Sequence, residues 1–600
     1  MSMRWVAIGF VCLGAGWLGC TKRAAPELTV PETAKVSFTD VTTKAGIRFK
    51  QTSGATGRKL LPETMGAGVI VFDYDNDGKP DLYFVNSRPW PFAIPDIKPT
   101  CSLYRNRGDG TFEETTLSAG LTVPLFGLGG CAGDFDNDGW PDLFITAVGG
   151  NRLFRNVQGT HFEDVTESAQ LNSNTWPSAT TAAEFERWNR PVSFPSSATW
   201  LDFDGDGRLD LFVCQYVSWS PAQDLSIAAI LPGGQRAYVP PTQFAGSHCK
   251  LYRNLGDGRF ADVSSVCGIE VSEPSGPNGN VLPIGKSLGV VVCDPDDDGW
   301  PDLMVANDTA RNFFFHNIPD GRGGRTFEEI GLTSNVAFSE GRPRGAMGID
   351  AAELEPGKTS VLIANFSNEP NSLLAVRKTK PLLFQDNAMA WGLTAPSRGP
   401  MKFGALFLDY DLDGRLDLLT VNGHLEPDIA LARPQQTQAE PAQLYRNDGT
   451  FELPNFRSVT DAGDLLKPIV SRGSAYLDFD GDGSLDVVVS TNGGAAKLFR
   501  NDNKTGHHWL RLKLVGDGVR SNRDAIGATV EVAIGTEVRR FYLSNARGYL
   551  SQSESVLTVG LGERTAVDRI AVRWPGQNAG TQTWTALTID REHRLVQSPQ

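Results

Sequence analysis

Residues 73–82 read Asp73-Tyr74-Asp75-Asn76-Asp77-Gly78-Lys79-Pro80-Asp81-Leu82, and the chain returns to this phrase repeatedly. The pattern Asp-x-Asp-x-Asp-Gly-x-x-Asp, closed by Leu or Val, recurs from Asp134, Asp202, Asp294, Asp409 and Asp478. A damaged copy, Glu353-Leu-Glu355-Pro-Gly357-Lys-Thr-Ser360-Val361, stands between the fourth and fifth. Four carboxylates at positions 1, 3, 5 and 9 of a short loop repel one another unless a cation joins them, and an all-oxygen set suits Ca²⁺ better than Mg²⁺, which keeps its waters. The expected ligands are therefore Asp73, Asp75, Asp77 and Asp81; Asp134, Asp136, Asp138 and Asp142; Asp202, Asp204, Asp206 and Asp210; Asp294, Asp296, Asp298 and Asp302; Asp409, Asp411, Asp413 and Asp417; and Asp478, Asp480, Asp482 and Asp486. That makes about six Ca²⁺ ions, with the relic empty or weak.

The loops differ from an EF-hand. Position 12, where that loop carries a bidentate Glu, is apolar here, as at Phe84 and Ile145. The flanks Val69-Ile-Val-Phe72 and Leu82-Tyr-Phe-Val85 are β-branched and aromatic, which is strand chemistry, so each ion clips a strand-loop-strand unit.

Two further phrases travel with each loop. One is Phe-led: Phe38-Thr-Asp-Val-Thr, with counterparts at Phe112, Phe162, Phe260, Phe327, Phe384 and Phe456. The other is Leu-Tyr/Phe-Arg-Asn, starting at Leu103, Leu153, Leu251, Leu444 and Leu498, with the variant Phe314-Phe-His-Asn317. Together they predict about four short strands per unit. Successive loops begin 61, 68, 92, 59, 56 and 69 residues apart. Seven such units predict a seven-bladed β-propeller, closed into a ring so that no long edge is left. A linear β-solenoid would need shorter and more uniform repeats. The Phe38 phrase precedes the first hairpin, so strands from both ends of the array are expected to close the ring.

The amino terminus carries one early cation, Arg4, an apolar run from Trp5, and then Gly19-Cys20. This reads as a secretory leader over 1–19 and a tether over 20–36. Glycine before cysteine resembles the bacterial lipobox, which implies Cys20 as the lipidated first residue and a membrane-anchored lipoprotein in the periplasm or at the cell surface. Trp17 stands where that pattern usually has Leu, and an ordinary cleaved leader is the alternative. The remaining cysteines, Cys101, Cys131, Cys214, Cys249, Cys267 and Cys293, are even in number, which in an exported chain favours disulfides. Repeat phase suggests Cys101 with Cys131 and Cys214 with Cys249.

The formal charge of −14 is largely the loops' own, and six divalent cations would bring the mature chain near neutrality. No basic stripe points to nucleic acid. From about His507 the chain alternates apolar and polar residues, as in Leu510-Arg-Leu-Lys-Leu514, which predicts a small β-sandwich or barrel.

The calcium hairpins resemble the FG-GAP/VCBS repeats of integrin α-subunit propellers and of many bacterial surface proteins. The segments His508-Trp-Leu-Arg-Leu, Ser521-Asn-Arg-Asp-Ala-Ile-Gly-Ala, Gly548-Tyr-Leu-Ser-Gln-Ser and Val572-Arg-Trp-Pro575 resemble the ASPIC/UnbV domain. The pairing is that of cartilage-acidic-protein-like proteins. The expected organisation is an all-β chain: a propeller over 37–503, an ASPIC/UnbV domain over 507–590 and a tail over 591–600. Asn522, Arg523, Asp524, Gln552 and Ser553 form the second domain's polar motifs, read as turn chemistry or a binding site.

Catalysis has little support. The seven histidines are scattered over different repeats, sit as the adjacent pair His507-His508 or lie near the end at His593; the one Gly-x-Ser-x-Gly match, Gly285-Lys-Ser-Leu-Gly289, runs into the β-branched Val290-Val-Val292 and not into a helix, so it is no nucleophile elbow, and no His-Glu-x-x-His or phosphate loop occurs. Arg107-Gly-Asp109 shares its phase with Leu255-Gly-Asp257 and reads as a repeat turn. The arginines Arg105, Arg155, Arg253, Arg446 and Arg500 are expected to pair with carboxylates of the next blade or to project into a face. The chain thus reads as a non-enzymatic exported module that binds an extracellular or surface protein or glycan, with the insertions bearing Trp176, Trp188 and Trp219 as the contact surface. The alternative is a calcium-dependent polysaccharide lyase or hydrolase, which requires a groove with free acids outside the six loops.

Overall fold

The computed structural model describes residues 36–90, 100–171, 175–179, 181–275, 279–577 and 579–598. The leader, Cys20 and nearly all of the tether lie outside the described residues. In the described part, seven sheets, each built on four antiparallel strands, follow one another along the chain, and the first is widened to six strands by two short ones from near the C-terminus. The four of the first are Val69–Phe72, Asp81–Phe84, Ser102–Asn106 and Phe112–Glu114. The carboxylate loop joins its first two strands, the Leu-Tyr-Arg-Asn phrase is its third strand, and the Phe-led phrase is its fourth. The seventh takes Ser471–Leu477, Asp486–Thr491 and Lys497–Asn501 from the end of the array and Phe38–Asp40 from its start, with Phe38 opposite Asn501. This is the closure expected from the Phe38 phrase.

The first strands of neighbouring sheets touch in cyclic order, and that of the seventh returns to the first. Each strand is buried on both faces because alternate side chains serve different neighbours. Val69 and Val71 pack with Ala475 and Leu477 of the seventh sheet, while Ile70 and Phe72 pack with Ala132 and Leu143 of the second. The same division gives one apolar core between every adjacent pair of sheets. Burial of each Val, Leu, Ile or Phe there contributes about 1.5–3 kcal/mol before entropy is counted, so the ring is held mainly by its seams.

The third-strand asparagine staples the seams. Asn106, Asn156, Asn254, Asn317 and Asn501 each donate through Nδ2 to a carbonyl in the preceding sheet's loop, at Phe479, Tyr74, Phe135, Phe203 and Tyr410. Asn447 Nδ2 donates only to the Leu416 carbonyl of its own sheet, because the sheet before it carries the relic. There the strands Ala346–Glu355 and Lys358–Asn365 pair through to Glu355 opposite Lys358, and a tight Pro356-Gly357 turn replaces the loop.

The cysteine pairings need correction. All six are buried thiols. Cys101 lies in the seam between the first and second sheets and Cys131 in the seam between the second and third, so the second sheet stands between them. Cys214 and Cys249 share a seam on adjacent strands without a bond, and Cys249 Sγ lies 3.2 Å from Ser287 Oγ.

Beyond the array, Glu537–Tyr542, Thr529–Ile534, Arg569–Arg573 and Thr581–Trp584 form one sheet, and Leu557–Gly562, His508–Val515 and Glu592–Val596 a second. They enclose their own core around Leu510, Leu512, Val530 and Ile570. The sheet runs past residue 590: Glu592–Val596 pairs in parallel with Arg511–Val515, so 591–600 is not merely a tail.

The two parts interlock through residues 546–553. Ser551–Gln552 adds to the first sheet, with Gln552 beside Ile70. Gly548 exchanges backbone hydrogen bonds with Ile349 of the fifth sheet at 2.8 and 3.0 Å. Leu550 N donates to Ser197 Oγ of the third, Ala132 N of the second to Gln552 Oε1, and Tyr476 N of the seventh to Ser553 Oγ. Tyr549 packs edge-on to Phe403 of the sixth, ring centroids 5.0 Å apart, and Gly548 O lies 3.3 Å from a Cβ built on Gly289 of the fourth. A finger of the C-terminal domain thus fills the propeller channel and meets the inner strand of all seven sheets. Its polar residues, among them Gln552 and Ser553, bind the propeller and are neither a free site nor simple turn chemistry.

Candidate metal centres and their cap

The six loops share one internal geometry. The position-6 glycine has a positive φ in every loop, 85° at Gly78 and 98° at Gly139; at those two no atom lies within 4 Å of where a Cβ would stand, whereas at Gly207, Gly299, Gly414 and Gly483 a Cβ would meet Val519, Arg573, Arg539 and Trp509 of the second domain. Backbone conformation alone therefore requires glycine at Gly78 and Gly139, and conformation together with close approach of the second domain at the other four. Its N–H donates to the position-1 carboxylate at 2.8–3.1 Å in all six loops. The N–H of position 7 donates to the position-5 carboxylate at 2.8–3.1 Å. The position-9 Asp accepts from the third-strand asparagine N–H at 2.7–2.8 Å, which ties the loop to its sheet.

These bonds converge the carboxylates without satisfying them. Asp73, Asp75 and Asp81; Asp134, Asp136 and Asp142; Asp202, Asp204 and Asp206; and Asp294, Asp296 and Asp298 each bring three oxygens within 4.8 Å of one another. Buried oxygens of Asp73, Asp204, Asp296, Asp302 and Asp409 have no hydrogen-bond partner. A buried carboxylate oxygen left so costs several kcal/mol unless a cation or proton meets it. Burial drives the carboxyls upward and neighbouring carboxylates add to it, against hydrogen bonds that favour the charged form: Asp81 and Asp134 to about 8, Asp202 and Asp302 to about 7, and Asp142, Asp210, Asp409, Asp417 and Asp486 well above the usual range. Unpartnered buried acceptors in a hard-oxygen set fit Ca²⁺.

The pH dependence follows. Without an ion, the folded protein binds more protons than the unfolded chain between the ordinary carboxylate pKa near 4 and these raised values. Stability is then lost as pH rises through the folded pKa window. Protein stripped of divalent ions is expected to melt at higher temperature at pH 6 than at pH 8, and saturating Ca²⁺ to abolish the difference. Differential scanning calorimetry at the two pH values measures this, and an opposite slope contradicts it.

The repeat arginines pair within their own sheets, not with the next. Arg105 Nε lies 2.5 Å from Asp75, Arg253 2.6 Å from Asp204 and Arg446 2.9 Å from Asp411, while Arg155 and Arg500 reach Glu163 and Asp502. Asp109 of the Arg-Gly-Asp turn accepts from Thr111 N, as the repeat phase indicates.

The C-terminal domain covers this face of the ring. Lys513 Nζ lies 2.9 Å from Asp73, Arg573 3.0 Å from Asp294 and Arg511 3.5 Å from Asp478. Asp134 N donates to Asp524, and Arg523 Nε to Asn137 O, both at 2.7 Å. Gln577 N donates to Gly205 O and Gly562 N to Leu412 O. All six loops thus touch the second domain, and Arg523 and Asp524 of its sequence motif do so directly. Sequence reasoning missed this role for Arg511, Lys513 and Arg573, which are spread over separate strands.

The insertions lie on strand connections opposite the loops. Their aromatic residues turn inward: Trp219 is 1% exposed and stacks at 5.8 Å on Trp90, Trp176 stacks on Trp90 at 5.9 Å, and Trp188 packs half-buried against the same cluster, which also holds Tyr549 and Leu550. The expectation that these tryptophans present a contact surface is corrected: they close the second mouth of the channel. Acids outside the loops are buried here too. Asp224 accepts from Leu61 N, Trp219 Nε1 and Arg236, and Glu63, at 1% exposure and pushed up by burial to about 7, accepts from Trp90 Nε1 and Tyr238. They hold the segment around residues 58–65 in place.

The family models agree with the two parts of this architecture. The FG-GAP-like repeat model matches residues 73–145 and 134–213, and the ASPIC and UnbV model matches 518–600. The chain carries FG-GAP-like repeats and an ASPIC/UnbV domain. It is homologous to cartilage acidic protein 1 of Xenopus tropicalis, 25% identical over 526 residues, which is 86% of this chain and 71% of that protein. Against the Homo sapiens protein the identity is 25% over 282 residues, 46% of this chain and 38% of the relative. Among solved structures, an Agrocybe aegerita lectin recognising non-reducing terminal N-acetylglucosamine aligns over 67% of this FG-GAP chain and 81% of its own, at 16% identity and TM-score 0.33. A Lactobacillus plantarum protein aligns over 67% and 85%, at 12% identity and TM-score 0.36.

Proposed function

We propose that this FG-GAP protein is an exported, non-enzymatic binding module whose propeller and ASPIC/UnbV domain are locked together by calcium. The six in-register carboxylate sets, with unpartnered buried oxygens beneath a second domain, carry the reading. Bound Ca²⁺ supplies the positive charge that holds the loop carboxylates together. The loops then present a fixed surface to Lys513, Arg573, Arg511 and Asp524, and the finger is held in the channel. Cys20 anchors the chain by lipid outside the cell or in the periplasm; among the described residues no helix is long and apolar enough to cross a membrane.

With both channel mouths closed, the ligand, an extracellular protein or glycan, meets the outer surface on the insertion side. Exposed Leu282 and Phe338 flank an open cavity of about 340 Å³ there, beside Lys286 and Arg311. A panel of matrix proteins and glycans presented to the immobilised full chain is expected to give retention in Ca²⁺ that EGTA abolishes and Phe338→Asp weakens. Release of soluble oligosaccharide from a polysaccharide, with no stable retention, contradicts the reading and favours the polysaccharide-active alternative.

A further inference from the structure

The fourth loop departs from its five siblings in two places that meet in space. Its position 2 is Pro295, where the others carry Tyr74, Phe135, Phe203, Tyr410 and Phe479. Those five donate a backbone N–H to Oδ2 of the position-9 Asp at 3.1–3.4 Å. Proline has no N–H, so Asp302 Oδ2 is left without a partner although the residue is 1% exposed. Asp296 Oδ1, at position 3, is buried and unpartnered, as is Asp204 Oδ1 of the third loop. The second departure is His316, which replaces the arginine of the other Leu-Tyr/Phe-Arg-Asn strands; its Nδ1 lies 3.1 Å from Asp302 Oδ1. The arginine that remains nearby, Arg325, is held elsewhere, over the Trp300 ring at 4.0 Å and on Asn317 Oδ1 at 2.8 Å. One ligand atom from each of Asp296, Asp302 and His316 lies within 4.8 Å of the others.

We propose that the fourth loop binds a borderline transition-metal dication of the Zn²⁺ type through Asp296, Asp302 and His316, while the other five loops take Ca²⁺. An imidazole nitrogen is a good ligand for such ions and a poor one for Ca²⁺, which selects oxygen. The guanidiniums of the sibling loops cannot ligate at all and instead repel a cation brought to the same place. The proposal rests on the reading of the loops as cation sites. Measuring calcium on the same samples separates its failure from the failure of that reading.

The test uses the full chain, stripped of metal and dialysed against millimolar Ca²⁺ with one equivalent of Co²⁺ or Zn²⁺. Wild type is expected to retain about one equivalent of either ion, with Co²⁺ absorption bands of a mixed nitrogen and oxygen set. His316→Arg, which restores the sibling residue, is expected to retain close to none while keeping its calcium and its melting temperature. His508→Gln, which removes a partly exposed imidazole elsewhere, is expected to behave as wild type. Retention unchanged in His316→Arg, or no retention by wild type against Ca²⁺, overturns the proposal and leaves His316 as a cationic partner of Asp302 in place of arginine.

Discussion

Tyr549→Ala is expected to destabilise the protein by about 3–5 kcal/mol, the range for emptying a fully buried aromatic site. Tyr549 is 0% exposed, lies edge-on to Phe403, and donates from its hydroxyl to Met65 O at 2.9 Å. Arg472 is fully buried against the other side of this arrangement, its guanidinium 4.0 Å from the Phe403 ring and bonded to Thr64, Gly423 and Ser471 carbonyls. The alanine variant therefore leaves a hole on the axis where the finger crosses from the loop face to the insertion cluster. Tyr549→Phe keeps the ring and loses one hydrogen bond, at a cost of about 1–3 kcal/mol from the unpaired carbonyl. Urea unfolding measures the difference. Limited proteolysis adds a readout specific to the interlock, since the alanine variant is expected to release the C-terminal domain faster than wild type. Equal stability and equal cleavage in both variants contradict the seating of the finger.

The repeat architecture was readable because it is written locally. The carboxylate loop, the Leu-Tyr-Arg-Asn strand and the Phe-led strand each carry their own pattern, and Phe38 lying upstream of the first loop announced the ring closure. The interlock was not readable in the same way. Gly548 to Ser553 contacts strands up to several hundred residues away, and no periodicity within the motif records that. One signal did exist. The residue five places before each loop's first acid is Gly68, Gly129, Ser197, Gly289, Gly348, Gly404 or Gly473. A Cβ on Gly68 or Gly129 would stand 2.2 or 2.5 Å from Leu550 O, and one on Gly473 2.3 Å from Ser551 Oγ. The one position with a side chain, Ser197, uses it to accept from Leu550 N. Small residues in this phase mark where the inner strands approach the axis and the finger.

The tryptophans misled for a related reason. An insertion rich in Trp resembles a contact surface when only the sequence is known, but a propeller channel also has two ends to close. Trp90, Trp176 and Trp219 stack over one end and the second domain covers the other. Three of the repeat arginines, Arg105, Arg253 and Arg446, turn back onto Asp75, Asp204 and Asp411 of their own loops within 3 Å, while Arg155 and Arg500 pair with Glu163 and Asp502 beside their own strands, and no carboxylate of the next sheet competes at that range among the described contacts.

The central claim is that ions in the loops staple the ring and lock the second domain onto it. Calcium content with thermal melting of the full chain, before and after chelation, tests this most directly. The expected result is about six divalent ions per chain, counting any transition metal in the fourth loop, and a melting temperature that falls steeply in EGTA and recovers on adding Ca²⁺, because binding to the folded state alone stabilises by mass action. Zero or one ion per chain, with a melt unchanged by chelator, contradicts the account, and the loops are then acidic turns whose buried carboxyls are held by protons.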